Sequence, residues 1–214
     1  MMLFEWKELA SVKRELAARN WFPGNSGDLS IKVSDDPLEC LVTVSGKDKY
    51  KETTEDFVLV DKAGTPLTDQ GKPSAETAIH LEVYNKTDAR CSLHIHTVDN
   101  NLISELYGDI GAVTFSKVEL IKAFGIQEAE KLTIPIVENF PEIPNLAHAL
   151  GEVIGPETQA VLIRNHGIVV WGGNAIEAKR NLEACEFLFS YQVKRLHAQA
   201  ANLKRIINDS EERI

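Results

Sequence analysis

Apolar positions along the chain change their spacing repeatedly, and each change marks an element. Over residues 3–19, Leu9, Val12 and Leu16 recur at helical spacing, which predicts an amphipathic helix. Residues 20–28 are rich in Asn, Gly, Pro and Ser and read as a loop. Short apolar runs at 29–33, 41–44 and 57–60 predict strands. Turns are expected at Ser34-Asp35-Asp36-Pro37 and Asp61-Lys62-Ala63-Gly64. Ser74 suits the N-cap of a helix over 74–86. A strand is predicted over 91–97, helices over 98–107 and 117–124, and a strand over 133–137. Pro141 and Pro144 then break the chain before a helix over 146–153. Strands over 160–164 and 168–171 flank Asn165-His166-Gly167, and a long helix follows over 174–200. Ala178, Leu182, Cys185, Phe189, Gln192 and Leu196 share a face of it, suited to packing on its own domain or on another subunit. The charged stretch 208–214 is expected to fray, leaving a single domain over 1–207. Strands and helices are interspersed and short turns join neighbouring strands, which favours an α/β domain with a mixed sheet over a purely parallel one.

Composition narrows the function classes. With 43% hydrophobic and 26% charged residues in 214, the chain has the balance of a soluble globular domain. The formal charge is −9 and no basic stripe is present, so a nucleic-acid partner is not expected. An anionic substrate would have to be held by a local pocket of donors. No apolar run reaches the ~18 residues of a membrane span. The first residues, with Glu5 and Glu8 among apolar neighbours, do not read as a signal peptide, and a cytoplasmic protein is expected. Cys40, Cys91 and Cys185 are odd in number and form no CxxC pair, which argues for reduced, buried thiols.

The candidate chemistry starts with histidines. His94-Ile95-His96 lies in an apolar strand, where side chains two apart leave on the same face, so two imidazoles stand side by side and Ile95 turns into the core. A third, His166, occupies the tight turn between two apolar strands. Three imidazoles with open positions are the usual catalytic zinc arrangement, although iron, cobalt, nickel or manganese also suit such ligands. His80 reads as a surface residue or one supporting the site from behind, and His148 and His197 as solvated.

Three further segments can hold an anion. Residues 23–30 include Ser26 and Gly27 in a loop of small residues, Val44-Ser45-Gly46-Lys47 ends in a cation, and Lys72-Pro73-Ser74 opens a helix whose N-terminus attracts negative charge. Each is commonly just a turn; three upstream of one metal site point to a phosphate pocket. Glu76, in the first turn of that helix, is a candidate general base. Glu119 has the look of a solvated helix residue or a capping partner of Ser116.

The order of the Gly/Asn/Ser loop, the Ser45-Gly46 turn, Ser74-Ala75-Glu76, His94-Ile95-His96 and Asn165-His166-Gly167 resembles the class II aldolase/adducin family over nearly the whole chain. The resemblance implies a three-layer α/β/α fold with a central mixed, largely antiparallel sheet, and a homotetramer with active sites near subunit interfaces. It implies His94, His96 and His166 as ligands of one Zn2+ per subunit, with Ser45, Gly46 and Ser74 at the substrate phosphate. Longer stretches, including Asn20-Trp21-Phe22-Pro23, Ser45-Gly46-Lys47-Asp48-Lys49 and Thr114-Phe115-Ser116 with Glu119, are similar to family members that act on a small phosphorylated ketose. Those members dehydrate 5-methylthioribulose 1-phosphate to 2,3-diketo-5-methylthiopentyl 1-phosphate in methionine salvage. The implied roles are Glu76 as base and Glu119 as acid, or the reverse. A sugar-phosphate aldolase, a pentulose-phosphate epimerase and a non-catalytic adducin-like protein are the alternatives on the same scaffold. Asp28 stands where the common family loop has Asn, and an acid there is expected to point away from phosphate or bind a sugar hydroxyl.

Overall fold

The computed structural model describes residues 2–127 and 130–211. Helix α1 (Met2–Ala18) buries Leu9, Val12 and Leu16, the stripe its spacing marks. Strands β1 (Asp28–Asp35), β2 (Leu38–Thr43) and β3 (Phe57–Asp61) form an antiparallel meander. Helix α2 (Thr77–Lys86), strand β4 (Cys91–Ile95) and helix α3 (Val98–Tyr107) follow. Next come β5 (Ala112–Ser116), a 3-10 segment (Glu119–Phe124), β6 (Lys131–Val137) and α4 (Ile143–Val153). A β7 (Ala160–Ile163) and β8 (Gly167–Gly172) hairpin leads into α5 (Ala175–Glu211).

The eight strands make one sheet in the order β3-β2-β1-β4-β8-β7-β6-β5. Only β6 and β7 run parallel, so the sheet is mixed and largely antiparallel, as expected. Its two faces bury separate cores. Side chains of α1, α3 and α5 cover Leu29, Ile31, Leu93, Ile95, Ile168 and Val170 on one face. Those of α2 and α4 cover Val42, Val58, Val169 and Trp171 on the other. The three-layer α/β/α architecture follows.

Strand periodicity positions the chemistry. Along β1 and β4 the odd-numbered residues Leu29, Ile31, Leu93 and Ile95 enter the first core. The even-numbered Asp28, Ser30, Ser92 and His94 are equally buried but polar, and they face α2, where His80 and Tyr84 bond to Ser92 and Ser30. A polar strip thus runs through the middle of the sheet, with Ser30 and Ser92 bonded across to α2 and the Asp28 carboxylate set against His80.

One strand is unexpected, and three expectations need correction. The strand Ala112–Ser116 went unmarked; it is a sheet edge with exposed Thr114 and Ser116, so little apolar signal distinguishes it from a loop. The helix expected over 117–124 is a 3-10 segment with positive φ at Lys117 just before it. The last helix continues past residue 200 to Glu211, and the expected frayed stretch 208–214 ends in residues outside those described. Ser74 is not the N-cap of α2, because Glu76 takes that position and the helix starts at Thr77. Ser74 instead holds the preceding turn, its carbonyl accepting from Thr77 N at 3.2 Å and its hydroxyl from Glu76 N at 3.3 Å. Among the described residues, no helix is long and apolar enough to cross a membrane.

Candidate metal and phosphate site

His94 occupies the penultimate position of β4, paired with Asp28 of β1 and Val169 of β8, and is fully buried. His96 stands just past the strand and is half-buried. His166 sits in the β7–β8 turn, which Asn165 makes tight by adopting a φ of +53°. The rings converge, with centroids 4.7 Å apart for His94–His96, 5.0 Å for His94–His166 and 4.7 Å for His96–His166. Glu76 joins them, its Oε1 2.9 Å from His166 Nε2 and its Oε2 3.5 Å from His94 Nε2. One ligand atom from each of the four residues lies within 4.8 Å of all the others.

The donor set fits a divalent cation. The Ile168 carbonyl can only accept, so His94 Nδ1 donates to it at 2.9 Å and the lone pair of His94 rests on Nε2. That lone pair faces His96 Nε2 at 2.8 Å, so two imidazole nitrogens aim at one point. Burial lowers the pKa of His94, and burial with the two neighbouring rings lowers that of His96 to about 3. Neutral imidazole is the form that ligates a metal. Burial pushes Glu76 upward, but the hydrogen bond with His166 and the electrostatic influence of the neighbouring imidazoles outweigh it, so its carboxyl is held below the usual carboxylate range.

Glycines permit this convergence. A Cβ on Gly167 would overlap Ile95 O and come within 2.7 Å of His96 Cδ2. Gly27, at φ +75°, lies so close to β4 that a Cβ would stand 2.6 Å from His94 O. Replacing Gly27 by Ala combines left-handed strain with overpacking, for an expected loss of about 3 kcal/mol, read by urea unfolding of the two proteins. Equal unfolding midpoints would refute the requirement.

Beside the histidines lies a cavity of about 330 Å3. Its wall includes Ser26, Gly27, Ser45, Gly46, Ser74 and Glu76, five of the six expected phosphate-site residues together with the candidate base. The sixth, Lys47, is not part of that wall; its ammonium pairs with Glu55 at 2.7 Å, on the rim of the loop. Lys49, two residues on, lines the cavity instead. The reason is local: Asn25, at φ +64°, accepts from Lys49 N at 2.8 Å and donates to Lys47 O at 2.8 Å, which turns the Lys49 side chain inward. Within the Ser45-Gly46-Lys47-Asp48-Lys49 stretch alone, nothing points to Lys49 over Lys47, which directly follows Gly46.

Asp28 is not part of the cavity wall; its carboxylate meets His80, which is wholly buried and not on the surface. His80 Nε2 stands 3.2 Å from Asp28 Oδ1, and its Nδ1 is 2.7 Å from Ser92 Oγ. Burial works against the charge on Asp28, yet His80 and His94 hold its carboxyl well below the usual range. His148 and His197 are exposed, and all three cysteines are buried and free. Glu119 lies outside the His/Glu group; it starts the 3-10 segment, is exposed, and pairs with Lys122 at 2.9 Å.

One buried carboxylate had no mark in the sequence. Glu186 of α5 accepts from Thr97 Oγ1 at 2.7 Å and Asn100 Nδ2 at 2.8 Å, clamping the capped N-terminus of α3 directly after His96. Asn101 in turn donates to His166 O at 2.9 Å, so α3 ties the two segments that carry His96 and His166 together. Burial raises Glu186 to about 7, against the two hydrogen bonds. A carboxyl raised in the folded state favours folding below its unfolded pKa and forfeits that advantage as pH rises toward the folded value. Wild type should therefore lose stability relative to Glu186→Gln by about 3 kcal/mol between pH 4.5 and pH 7. Parallel stability curves for the two proteins would contradict this.

The three-layer fold and the convergent Glu76, His94, His96 and His166 agree with the family comparison: the chain belongs to the class II aldolase and adducin N-terminal domain family, which it matches over residues 7–193. It is 60% identical over 201 residues to a protein of Geobacillus kaustophilus named methylthioribulose-1-phosphate dehydratase, covering 93% of this chain and 96% of that one. A Bacillus subtilis protein of the same name is 60% identical over 192 residues, covering 88% of this chain and 92% of its own. Among solved structures, L-fuculose-1-phosphate aldolase from Thermus thermophilus superposes with a TM-score of 0.75 at 20% identity, over 94% of this chain and 99% of that one. That likeness speaks for the fold.

Proposed function

We infer that the protein dehydrates 5-methylthioribulose 1-phosphate to 2,3-diketo-5-methylthiopentyl 1-phosphate, a lyase step of methionine salvage. The observation that carries this is Glu76, which belongs both to the histidine group and to the wall of the anion cavity. In the substrate the carbon-2 ketone stands one carbon from the phosphate ester. A phosphate among Ser26, Ser45, Gly46 and Ser74 therefore leaves carbons 2 and 3 beside Glu76 and the three imidazoles. The name shared by relatives at 60% identity selects this ketose over those of aldolases or epimerases.

His94, His96 and His166 would hold the metal, for which we propose Zn2+ on the strength of three imidazole donors. When bound, such a cation acts as a Lewis acid that makes the carbon-3 hydrogen acidic. Glu76, ionised and pointed into the site, takes that proton, and the electron pair left on carbon 3 forms the carbon 3–carbon 4 double bond. The carbon-4 hydroxyl leaves as water on receiving a proton from a second acid, and the resulting enol tautomerises to the diketone. Glu119 is our choice for that acid, by the family resemblance, and the two carboxylates can exchange roles. A homotetramer in the cytoplasm, with sites near subunit boundaries, is part of the same proposal; an exposed carboxylate such as Glu119 suits a site that a neighbouring copy helps to close.

The test is incubation of the metal-loaded protein with 5-methylthioribulose 1-phosphate and mass analysis of the product. A diketone one water lighter, formed at an ordinary enzymatic rate, is expected. A carbon–carbon cleavage product, or an epimer of unchanged mass, would replace this reading with the aldolase or the epimerase.

A further inference from the structure

We propose that Lys49 supplies the positive charge that holds the substrate phosphate in the cavity, the part the sequence pattern assigns to Lys47; this rests on the phosphorylated substrate inferred above.

Three lysines of the described chain are buried, Lys13, Lys32 and Lys49. Lys13 has Asp56 at 2.6 Å and Lys32 has Asp35 at 3.0 Å. Lys49, 7% exposed, has no carboxylate at ion-pair distance among the described residues. Its ammonium makes one hydrogen bond, to Asn25 O at 2.7 Å, where three donors are available. Burial draws its pKa below the ordinary lysine value, against the pull of Asp28 and Glu76. Those two carboxylates are themselves engaged, Asp28 by His80 and Glu76 by His166.

A buried, unneutralised cation is costly, and a fold retains one where an anion arrives to pair with it. Lys49 is part of the cavity wall that also carries Ser26, Ser45 and Ser74. Its backbone is pinned by Asn25 Oδ1 at 2.8 Å and its ammonium by Asn25 O at 2.7 Å, so the ammonium is held in place before an anion binds and loses little freedom on binding. Lys47 lacks these features, being half-exposed and already neutralised by Glu55 at 2.7 Å. The hydroxyls and backbone N–H groups of the cavity supply direction, and Lys49 supplies charge that they do not carry.

The experiment titrates inorganic phosphate into the metal-loaded wild type, Lys49→Met, Lys49→Arg and Lys47→Met by calorimetry. Lys49→Met should weaken phosphate binding by about 30-fold or more, the scale for removing one member of a buried charge pair. Lys49→Arg should restore most of the affinity, and Lys47→Met should stay within about threefold of wild type, the scale for an exposed pair. Metal content of every variant should match wild type. As a check that needs no variant, phosphate should protect Lys49 of the wild type from amine-reactive labelling read by mass spectrometry. Undiminished binding by Lys49→Met, no binding by wild type, or labelling of Lys49 indifferent to phosphate would each overturn the assignment. Phosphate binding through Lys49 in a protein that leaves 5-methylthioribulose 1-phosphate intact would sink the dehydratase reading alone. Dehydration with Lys49→Met at wild-type KM would sink the Lys49 assignment alone.

Discussion

His96→Ala should lose its bound metal and its dehydration activity together, with kcat/KM down by about a thousandfold or more. The expectation comes from what each histidine does besides ligation. His94 is fully buried between β1 and β8, and its Nδ1 bonds to Ile168 O, so its removal opens a hole in the sheet. His96 lies beyond the end of β4 and is half-buried, and its ring packs edge-on against those of His94 and His166. Truncating it therefore removes a proposed ligand and spares the core. Metal stoichiometry by elemental analysis, thermal unfolding and turnover should be measured on the same sample. Loss of metal at an unchanged melting temperature is the expected pattern. Full activity in a metal-free His96→Ala protein would end the case for metal chemistry here.

Glu76→Gln should lower kcat by about a hundred- to ten-thousandfold, the range for removing a positioned general base. Gln keeps the shape and one acceptor oxygen, so α2 and its cap position are preserved. Three imidazoles remain, and substantial metal should stay bound. The informative comparison is between kcat and metal dependence. A fall in kcat that excess metal does not restore marks Glu76 as the proton acceptor. Recovery of near-wild-type turnover at high metal concentration would instead make Glu76 a ligand and leave the base unidentified.

The difference between Lys47 and Lys49 shows where reading the chain alone runs out. Both lie in the Ser45-Gly46-Lys47-Asp48-Lys49 stretch, and proximity to Gly46 favours Lys47. Which one faces the cavity depends on Asn25, more than twenty residues earlier, whose side chain bonds to the backbone at both positions. Glu186 is a similar case. On α5 it is one more polar residue beside Cys185, and only the packing of α5 against α3 makes it a clamp on Thr97 and Asn100. His80, one turn after Glu76, reads from the chain as either a surface residue or one supporting the site from behind; the crossing of α2 over β1 and β4 decides between them by burying it against Asp28 and Ser92.

By itself the sequence determined the features that depend on local spacing: the alternation that puts His94 and His96 on one face and Ile95 in the core, the tight turn carrying His166, the helical stripe of α1, and the family the chain belongs to. These are short-range consequences of backbone period and turn chemistry. Tertiary structure alone decided the sheet order that sets β1 and β8 on either side of β4, the meeting of Glu76 with all three histidines, and the partner of each buried charge. The physical reason is that a buried charge is tolerated only beside its partner, and those partners come from strands, helices and loops distant in the chain.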